Sequence, residues 1–422
     1  MTLLALGLAA CSPVSIWVGD TAGPSGPDTA TEHVGSEGTE TIDGGEQPVE
    51  DIVGPGDTSD TGDGGGGEPN HEADLLFGPD AEVHTFEISL SDEAFLSLVQ
   101  DPYEYVEGSI TWGDTHLEQV GVRVKGQNSF EPITEKSSFK IKIDWIVDDQ
   151  RFLGLSDLQF NNAHDDYTML HERLGYWIFN EAGVPSARSG HAWIIVNGVE
   201  YGLYANTEVV DKRLLRHWYD DEDGPLYEGW DVDFYSGYIN SYQHESGEDD
   251  RSALWALAAS LQQGDAYEAA DEFLNWDEFV NFWATTAVIG QFDAYPYSSP
   301  GDDYHVYINP DNDNKIDFLP HGNDECFSSF SSTVESVNGI VAQTCKADPT
   351  CREAFRARVF EVLDITEKVD WVSGFEQIQA QIQPYVEADT RKRYSTSSVA
   401  TYQAGVESWV NNRRAEMERQ LQ

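Results

Sequence analysis

The sequence predicts an α+β fold with a sheet-rich N-terminal part and a helix-rich C-terminal part. The alternation of apolar and polar residues that is typical of strands marks the segments 83–88, 121–125, 138–143, 191–196 and 202–204. Helical spacing marks the segments 167–182, 253–262, 266–275, 276–292, 352–363 and 406–421. The chain is 40% hydrophobic and 12% aromatic, which is enough apolar material to bury a core. Strands followed by helices are the element order of α+β proteins.

The chain is strongly acidic. It carries 24 Lys and Arg against 76 Asp and Glu, a formal net charge of −52. Residues 1–72 hold 14 of the acidic residues and no Lys or Arg, so they contribute −14, and residues 73–422 carry −38. Binding to nucleic-acid phosphates or to anionic lipid headgroups needs a basic surface. We therefore expect no nucleic-acid partner.

The first eleven residues have the character of a secretory signal. Residues 1–11 form an apolar run that is too short to span a bilayer and that ends in Leu8-Ala9-Ala10-Cys11. This ending resembles the bacterial lipobox, in which the cysteine becomes the lipidated N-terminus. The alternative is a plain signal peptide with a coincidental cysteine, and the run lacks the usual positively charged start. Lipidation of Cys11 predicts a lipid-anchored protein of the cell envelope, facing the periplasm or the cell surface.

Residues 12–72 predict a disordered acidic tether. The segment is rich in Gly, Pro and Thr and has almost no large apolar side chains, so it cannot offset the entropy of folding. A metal-binding role for its acidic residues is the alternative, although they lack regular ligand spacing. Residues 73–422 are then the folded domain, with a helical extension at the C-terminal end.

Three cysteines lie in the folded domain: Cys326, Cys345 and Cys351. Cys345 and Cys351 flank a short turn-like segment, and an extracytoplasmic compartment permits disulfides, so these two are the expected pair. A metal site that uses all three cysteines is the alternative, but the spacing and histidines of a zinc site are missing.

A group of basic residues stands out against the acidic background: Arg123, Lys125, Lys136, Lys140 and Lys142. The spacing places the first two on one face of one strand and the last two on one face of the next. In a domain of charge −38, such a group is where an anion would bind. The segment 126–129, Gly-Gln-Asn-Ser, adds the flexible turn and backbone donors that phosphates favour. The alternative is that these side chains only offset nearby acidic residues.

Carboxylates surround a predicted β-hairpin with strands at 304–308 and 315–319. Asp303 precedes the first strand and Asp324 follows the second, so the antiparallel pairing brings them to the same end. Two such oxygen ligands suit Mg²⁺, and a cation site beside a basic strand pair suits phosphoryl transfer. The turn itself holds Asp311 and Asp313, with Asp317 beyond it. A calcium-binding loop is the weaker interpretation of this turn, because the required Gly and Glu are missing, and an ordinary acidic hairpin turn is favoured.

These segments resemble the spore-coat protein H (CotH) kinase family over residues 82–335. The similarity begins with Gly-Val-Arg-Val-Lys-Gly at 121–126 and Lys-Ser-Ser-Phe-Lys-Ile-Lys at 136–142. It is most specific between 166 and 212, which include Asp-Tyr-Thr-Met-Leu-His-Glu-Arg-Leu at 166–174 and Val-Asn-Gly-Val-Glu-Tyr-Gly-Leu-Tyr at 196–204. The resemblance implies an atypical protein-kinase-like fold and transfer of the ATP γ-phosphate to protein Ser or Thr, with Mg²⁺ and ATP as cofactors.

The resemblance also implies roles for single residues. Lys125 or Lys140, within the basic group that includes Arg123, would contact the ATP phosphates, and Glu172 would pair with that lysine. Asp293 would orient the acceptor hydroxyl as the catalytic residue. Asp324 would hold the metal, and the hairpin pairing described above adds Asp303 as a second ligand. The expected partners are a protein Ser/Thr acceptor and the membrane that holds the lipid anchor, and we expect a monomer.

Three positions depart from the family pattern. The motif Pro-Trp-Asp-x-Asp is altered at His321 and at Gly322, and the Asn that usually opens the hairpin strand is Asp303. One carboxylate is lost and another gained nearby, which either preserves the metal site in altered form or marks an inactive one. The alternative function is therefore a catalytically altered, CotH-like surface protein that binds a ligand or mediates adhesion. A hydrolase with paired carboxylates is a third alternative that no spacing in the sequence supports.

Overall fold

Seven strands close into a barrel in the first half of the protein. The computed structural model describes residues 71–328 and 333–421. A 3₁₀ turn, Glu72–Leu76, leads into the barrel, whose elements are β1 His84–Leu90, α1 Asp92–Gln100, β2 Val106–Trp112, β3 Thr115–Lys125, β4 Ser138–Lys142, β5 Asp157–Asn161, α2 His171–Glu181, β6 Ser189–Val196 and β7 Val199–Thr207. The strand order is β1-β2-β3-β4-β5-β7-β6, and β1 closes the barrel by pairing with β6 in parallel.

The barrel core follows from the alternation in its strands. In β3 and β4 the buried residues Val122, Val124, Phe139 and Ile141 point inward, where they join Phe160 of β5. Every second residue of a strand points to the same face, so the basic residues between them lie on the outer face. The alternating pattern that predicts these strands also determines which of their side chains face outward.

A second, four-stranded sheet follows the barrel in the chain. Its elements, with the helices between them, are α3 Lys212–Trp218, β8 Leu226–Gly229, β9 Gln243–Ser246, α4 Ser252–Ser260, α5 Ala266–Ala270, α6 Trp276–Ile289, β10 Tyr304–Asn309 and β11 Lys315–Pro320. The strand order is β11-β10-β8-β9, and the predicted hairpin is the antiparallel pair β10–β11. Asp317 is buried in β11, where its carboxylate accepts hydrogen bonds from Asn275 and Asn309. The connection is therefore a hairpin turn, and Asp317 is a structural residue of the strand.

Helices complete the C-terminal half: α7 Ile340–Ala347, α8 Pro349–Lys368, α9 Trp371–Ala388 and α10 Thr396–Leu421. The buried helix α6 packs on α8, and the rings of Trp283 and Phe355 are stacked with centroids 3.7 Å apart. Helix α6 ends at Gly290, whose φ of 70° is the left-handed conformation that favours glycine at a helix end. The protein has both helices and sheets, as the predicted α+β class requires.

Two predicted helices are each five residues shorter in the structure. Helix α2 begins at His171 and not at 167, because the Asp166 carboxylate accepts hydrogen bonds from the backbone N–H groups of Thr168, Met169 and His171 and holds a turn there. Helix α5 ends at Ala270 and not at 275. Residues 273–275 instead exchange backbone hydrogen bonds with Ile316 at the edge strand β11. Side-chain hydrogen bonds to the backbone and sheet pairing thus override the helical spacing of these segments.

The N-terminal predictions lie outside the described residues. These are the signal at 1–11, Cys11 and residues 12–70 of the predicted tether. Within the described part, the predicted pair Cys345 and Cys351 form a disulfide, and Cys326 is a buried free thiol. None of the helices described is both long and apolar enough to cross a membrane.

Candidate functional site

Four basic side chains share the outer face of strands β3 and β4. The register pairs Arg123 with Lys140 and Lys125 with Ser138, and Lys142 lies two residues further along the same face. The arrangement agrees with the alternation in the sequence. The guanidinium of Arg123 lies 5.5 Å from the centre of the Tyr105 ring. Burial raises the pKa of Asp157 on the adjacent strand β5, and the charge of Lys140 opposes that shift.

Lys125 and Glu172 meet at the amide of Asn161. Lys125 Nζ donates to Asn161 Oδ1 over 2.9 Å, and Asn161 Nδ2 donates to both carboxylate oxygens of Glu172 over 2.9 and 2.8 Å. The Thr207 hydroxyl donates to Glu172 Oε2 over 2.5 Å. Burial raises the pKa of Glu172, while the hydrogen bonds from Thr207 and Asn161 oppose that shift. The expected lysine–glutamate partnership therefore involves Lys125 on β3 and includes an asparagine from β5.

Lys136 does not belong to the anion-binding face. Its side chain is buried, and Nζ lies 2.7 Å from Asp389 Oδ2, beyond the end of helix α9. Burial lowers the pKa of Lys136, and the Asp389 carboxylate opposes that shift. The sequence could not show this, because the partner is more than two hundred residues away. Lys136 is a structural residue, and the expectation that it contributes to anion binding is wrong.

The hairpin end holds Asp303 in a tightly bonded position. His321 N donates to Asp303 O over 3.0 Å where β10 and β11 meet, and Asp303 N donates to Asp302 Oδ1 over 2.9 Å. Gln291 Nε2 donates to Asp303 Oδ2 over 3.2 Å and also to the Gly322 carbonyl. The backbone of Asp303 has a φ of 54°, in the left-handed region that Asp tolerates better than most residues.

The carboxyl groups around this end raise one another's pKa values. Burial, followed by the charge of Asp324, raises the pKa of Asp303 well above its usual range. Burial and the charge of Glu172 raise the pKa of Asp324 to about 7. Burial and the charge of Asp293 raise the pKa of Glu325 to about 7 as well. Several half-buried carboxyls thus share a small volume in which a bound cation would be favourable.

Asp293 lies just beyond the end of helix α6 and is half-buried. Burial, with a contribution from the Asp231 charge, raises the pKa of Asp293. Its own charge in turn raises the pKa of Asp303. Of the predicted carboxylates, Asp293 and Asp324 are therefore both close enough to Asp303 to raise its pKa.

The basic face and the acidic hairpin end adjoin each other. Glu172, which is linked to Lys125, raises the pKa of Asp324, and Lys125 adds to the burial that lowers the pKa of His321 to about 4. The contact between elements is direct as well, since His171 Nδ1 at the start of α2 lies 2.6 Å from the backbone carbonyl of Asp324. One region of the molecule thus presents cations on one side and carboxylates on the other.

Four polar residues of this region were not predicted: Asn161, Gln291, His171 and Asn323. Asn161 bridges the lysine and glutamate, and Gln291 holds Asp303. Asn323 is fully buried, and neither atom of its amide has a hydrogen-bond partner among the described residues. Nothing in the sequence marks Asn161 or Gln291, and His171 and Asn323 lie beside the charged residues of the motifs at 166–174 and 320–324, so the roles of all four depend on the tertiary arrangement.

The residues present suit a magnesium ion that is bound together with a phosphate ligand. Within residues 71–328 and 333–421, no group of three or more His, Cys, Asp or Glu side chains is arranged to hold a metal ion. Mg²⁺ usually takes one or two carboxylates and completes its shell with water and phosphate oxygens. Asp303 and Asp324 fit that requirement, and the unpartnered, buried Oε1 of Gln291 beside Asp303 adds a further oxygen.

Comparison with known proteins identifies the family. The family model described as CotH kinase protein matches residues 122–417. A 72-residue segment is also 32% identical to the inner spore coat protein H-like protein of Bacillus subtilis (strain 168). That match covers 17% of this chain and 22% of the Bacillus protein, so the chain is similar to that protein over about a fifth of its length. The family match extends from strand β3 through helix α10 and includes the basic residues and the carboxylates of the site above, and on this basis the chain belongs to the CotH kinase protein family.

Proposed function

We propose that this protein is an atypical, Mg-ATP-dependent protein kinase that transfers the γ-phosphate of ATP to a protein Ser or Thr. The observation that carries the proposal is the Lys125–Asn161–Glu172 network beside the carboxylates of Asp303 and Asp324. A cation fixed by a buried carboxylate on one side and acidic metal ligands on the other is the arrangement that phosphoryl transfer requires. On this proposal, the fold is kinase-like, with the nucleotide site between the barrel and the hairpin end.

The basic face would hold the nucleotide phosphates. Lys125 would bind phosphate oxygens, with Arg123 and Lys140 on the same face adding positive charge. Glu172 would fix Lys125 through Asn161, because a buried carboxylate that accepts three hydrogen bonds cannot move easily. Rigid donors of this kind stabilise the charge of the transferring phosphoryl group without having to reorganise.

The hairpin end would hold the metal and receive the proton. Asp303 and Asp324 would bind Mg²⁺, which when bound neutralises phosphate charge and orients the phosphate oxygens. The oxygen of the acceptor hydroxyl forms a bond to the γ-phosphorus while the bond to the β,γ-bridging oxygen breaks, releasing ADP. Asp293 would accept the hydroxyl proton, and a raised pKa makes a carboxylate a better base.

The location and partners are part of the same proposal. We propose that lipidation of Cys11 anchors the protein in the cell envelope and that residues 12–72 tether the kinase domain to the membrane. The acceptor would then be an envelope or surface protein. The proposal rests on the lipobox-like Leu-Ala-Ala-Cys at 8–11 and on the composition of the segment that follows it.

The purified full chain tests the activity. With Mg²⁺ and γ-labelled ATP, we expect label on the protein itself or on a Ser/Thr-rich acceptor, and Asp324→Asn should reduce it at least about a hundredfold. The matched control is Asp313→Asn, which changes an exposed aspartate at the far end of the same hairpin. If the chain neither binds nucleotide nor transfers phosphate with Mg²⁺ or Mn²⁺, the kinase proposal is wrong and the surface-binding alternative is favoured.

A further inference from the structure

Asp303 and Gly322 compete for the same space. A Cβ atom built on Gly322 would lie 2.5 Å from Cγ of Asp303 and would overlap the carboxylate oxygens. Both residues have a φ of 54°, in the left-handed region. Asp303 precedes β10 and Gly322 follows β11, so the two backbones adjoin at the end of the hairpin. No side chain fits at position 322 while the Asp303 carboxylate stays where it is.

The Asp303 carboxylate is held in that space by its neighbours. Gln291 Nε2 donates both to Asp303 Oδ2 and to the Gly322 carbonyl, so one amide group ties the two positions together. Asp302 Oδ1 and the N–H of His321 fix the Asp303 backbone from either side. Two hydrogen bonds thus fix the backbone of Asp303, and a third, from Gln291, holds its carboxylate over Gly322.

The surrounding polar atoms point to a ligand. Oε1 of Gln291 is buried and lacks a hydrogen-bond partner among the described residues, although the other end of the same amide is bonded twice. Asn323, which lies between Gly322 and Asp324, is fully buried, and the described residues offer no partner to either of its amide atoms. Buried polar atoms without partners are costly, and a bound ion with its water shell is one of the few things that would satisfy them.

We infer that the cation site at the hairpin end needs one carboxylate in the space shared by positions 303 and 322. This chain supplies that carboxylate from Asp303. Position 322 is a glycine because a side chain there would occupy the same space. The inference rests on the proposed function, because it concerns the metal that the kinase reaction uses. It goes further in stating that either of the two positions can supply this single carboxylate, and that Asp324 is the second ligand.

An exchange of the two residues tests this inference. Asp303→Gly combined with Gly322→Asp moves the carboxylate from one position to the other and leaves the composition and net charge unchanged. The full chain, the two single variants and the exchange are titrated with Mn²⁺ alone, and free Mn²⁺ is followed by electron paramagnetic resonance. We expect Asp303→Gly to weaken Mn²⁺ binding at least about tenfold and the exchange to return it to within about threefold of the original, where tenfold corresponds to about 1.4 kcal/mol.

Thermal unfolding supplies a readout that does not depend on the metal. Gly322→Ala adds only the atom that would overlap the Asp303 carboxylate, so it should lower Tm clearly in the original chain and much less when Asp303 is glycine. Asp313→Gly is the control for Asp303→Gly, because it also replaces an aspartate by glycine at a left-handed position, with a φ of 53°, but in the exposed hairpin turn. This control should leave Mn²⁺ affinity unchanged.

The outcomes separate this inference from the kinase proposal. If the exchange variant binds Mn²⁺ no better than Asp303→Gly does, the idea of a single shared carboxylate is wrong. The idea is also wrong if the original chain binds no Mn²⁺. If Gly322→Ala lowers Tm equally in both backgrounds, the spatial argument is wrong. If Mn²⁺ binding follows the expected pattern but no phosphate is transferred, the inference stands and the kinase proposal fails.

Discussion

Lys125 and Lys136 lie on either side of the same loop between β3 and β4, yet their surroundings differ. Lys125 Nζ bonds to the neutral amide of Asn161 at the edge of the candidate site. Lys136 Nζ bonds to the Asp389 carboxylate, and both of these side chains are buried. The Asn161 amide carries no charge, whereas the Asp389 carboxylate, 2.7 Å from the Lys136 ammonium, carries the opposite charge. Two lysines that look equivalent in the sequence therefore have different surroundings, and on our proposal only Lys125 would bind phosphate.

The structural role of Lys136 depends on a single aspartate. Asp389 Oδ2 also accepts the backbone N–H of Leu203 on β7 over 3.1 Å, and Asp389 Oδ1 accepts that of Arg391 over 2.8 Å. Gly202 makes room for it, since a Cβ there would overlap the carboxylate. The carboxylate thus fastens the β3–β4 loop, the barrel and the segment between helices α9 and α10 together.

The largest effect on stability is expected for Asp389→Ala. The change leaves the Lys136 ammonium buried and unpaired, which should cost about 3–5 kcal/mol in the free energy of unfolding. Urea denaturation followed by circular dichroism measures this cost. Asp389→Ala with Lys136→Met should recover part of the loss, because no uncompensated charge then remains. Equal losses in the single and double variants would show that the ion pair is unimportant and that the backbone contacts of Asp389 dominate.

Lys125→Met is expected to affect function and not stability. Loss of the ammonium should reduce phosphate transfer by about a hundredfold, since fixed charges at such sites contribute about that much. The free energy of unfolding should change by less than about 1 kcal/mol, because Lys125 is only half-buried. Lys315→Met on the hairpin, a half-buried lysine 3.8 Å from Asp271, is the matched control. If Lys125→Met clearly lowers the free energy of unfolding but leaves phosphate transfer unchanged, Lys125 has a structural role, as Lys136 does, and the contrast between the two lysines is wrong.

The raised pKa of Asp324 predicts a pH dependence of stability. Its pKa is about 7 in the folded chain, whereas an ordinary aspartate titrates near 4 when unfolded. Between these pH values the folded state therefore binds one more proton than the unfolded state. The contribution of this proton to the free energy of unfolding is fully present below pH 4 and is lost as the pH rises to 7. Asp324→Asn cannot lose a proton. Its free energy of unfolding should rise relative to the original by roughly 1–2 kcal/mol between pH 5 and 8, after allowance for partial exposure.

The measurement is urea denaturation of both proteins at several pH values. Glu325 titrates in the same range, with a pKa of about 7, but it is present in both chains and largely cancels in the difference. A difference that shrinks with rising pH would contradict the raised pKa of Asp324.

The smallest effect is expected for Arg391→Ala, beside the Lys136–Asp389 pair. The Arg391 guanidinium lies 4.1 Å from the centre of the Tyr201 ring and donates to the carbonyls of Thr134 and Glu135 in the β3–β4 loop. Because the side chain is partly exposed, its loss should cost about 1 kcal/mol. Arg391→Lys should restore less than half of this, since a lysine cannot stack flat on the ring. A cost as large as that of Asp389→Ala would show that the arginine, and not the buried pair, fastens the loop.

The contrast between the two lysines also shows what could be predicted from the sequence. Alternation correctly gives β3, β4 and the hairpin β10–β11, and hence the outer position of Lys125 and the common end of Asp303 and Asp324. The same alternation cannot reveal that Lys136 meets Asp389, because nothing local links the two. The sequence does not single out Asn161 for a similar reason: β5 is short, and Asn161 looks like any other polar residue in its alternating pattern, because nothing local links it to Lys125 or Glu172.

Two further limits arise from local competition. Helix α9 was not predicted, because Gly374 and Pro384 interrupt its pattern, although the buried residues Phe375, Ile378 and Ile382 anchor it in the core. Hydrophobic spacing predicts the start of α2 too early, because it does not register the hydrogen bonds by which the Asp166 side chain holds a turn before the helix. Tertiary packing extends one helix and a polar side chain shortens the other.

The parallel pairing of β1 with β6 has a consequence for how the chain folds. His84 pairs with Ala192, so the first strand of the barrel cannot pair with β6 until more than a hundred further residues have been synthesised. Bringing together such distant segments costs loop entropy before any contact repays it, which makes folding slow. While the chain is being synthesised, β1 has one side paired with β2 and the other side open. A chain that stops before residue 196 leaves that edge exposed, and an unpaired edge strand is a site at which chains associate.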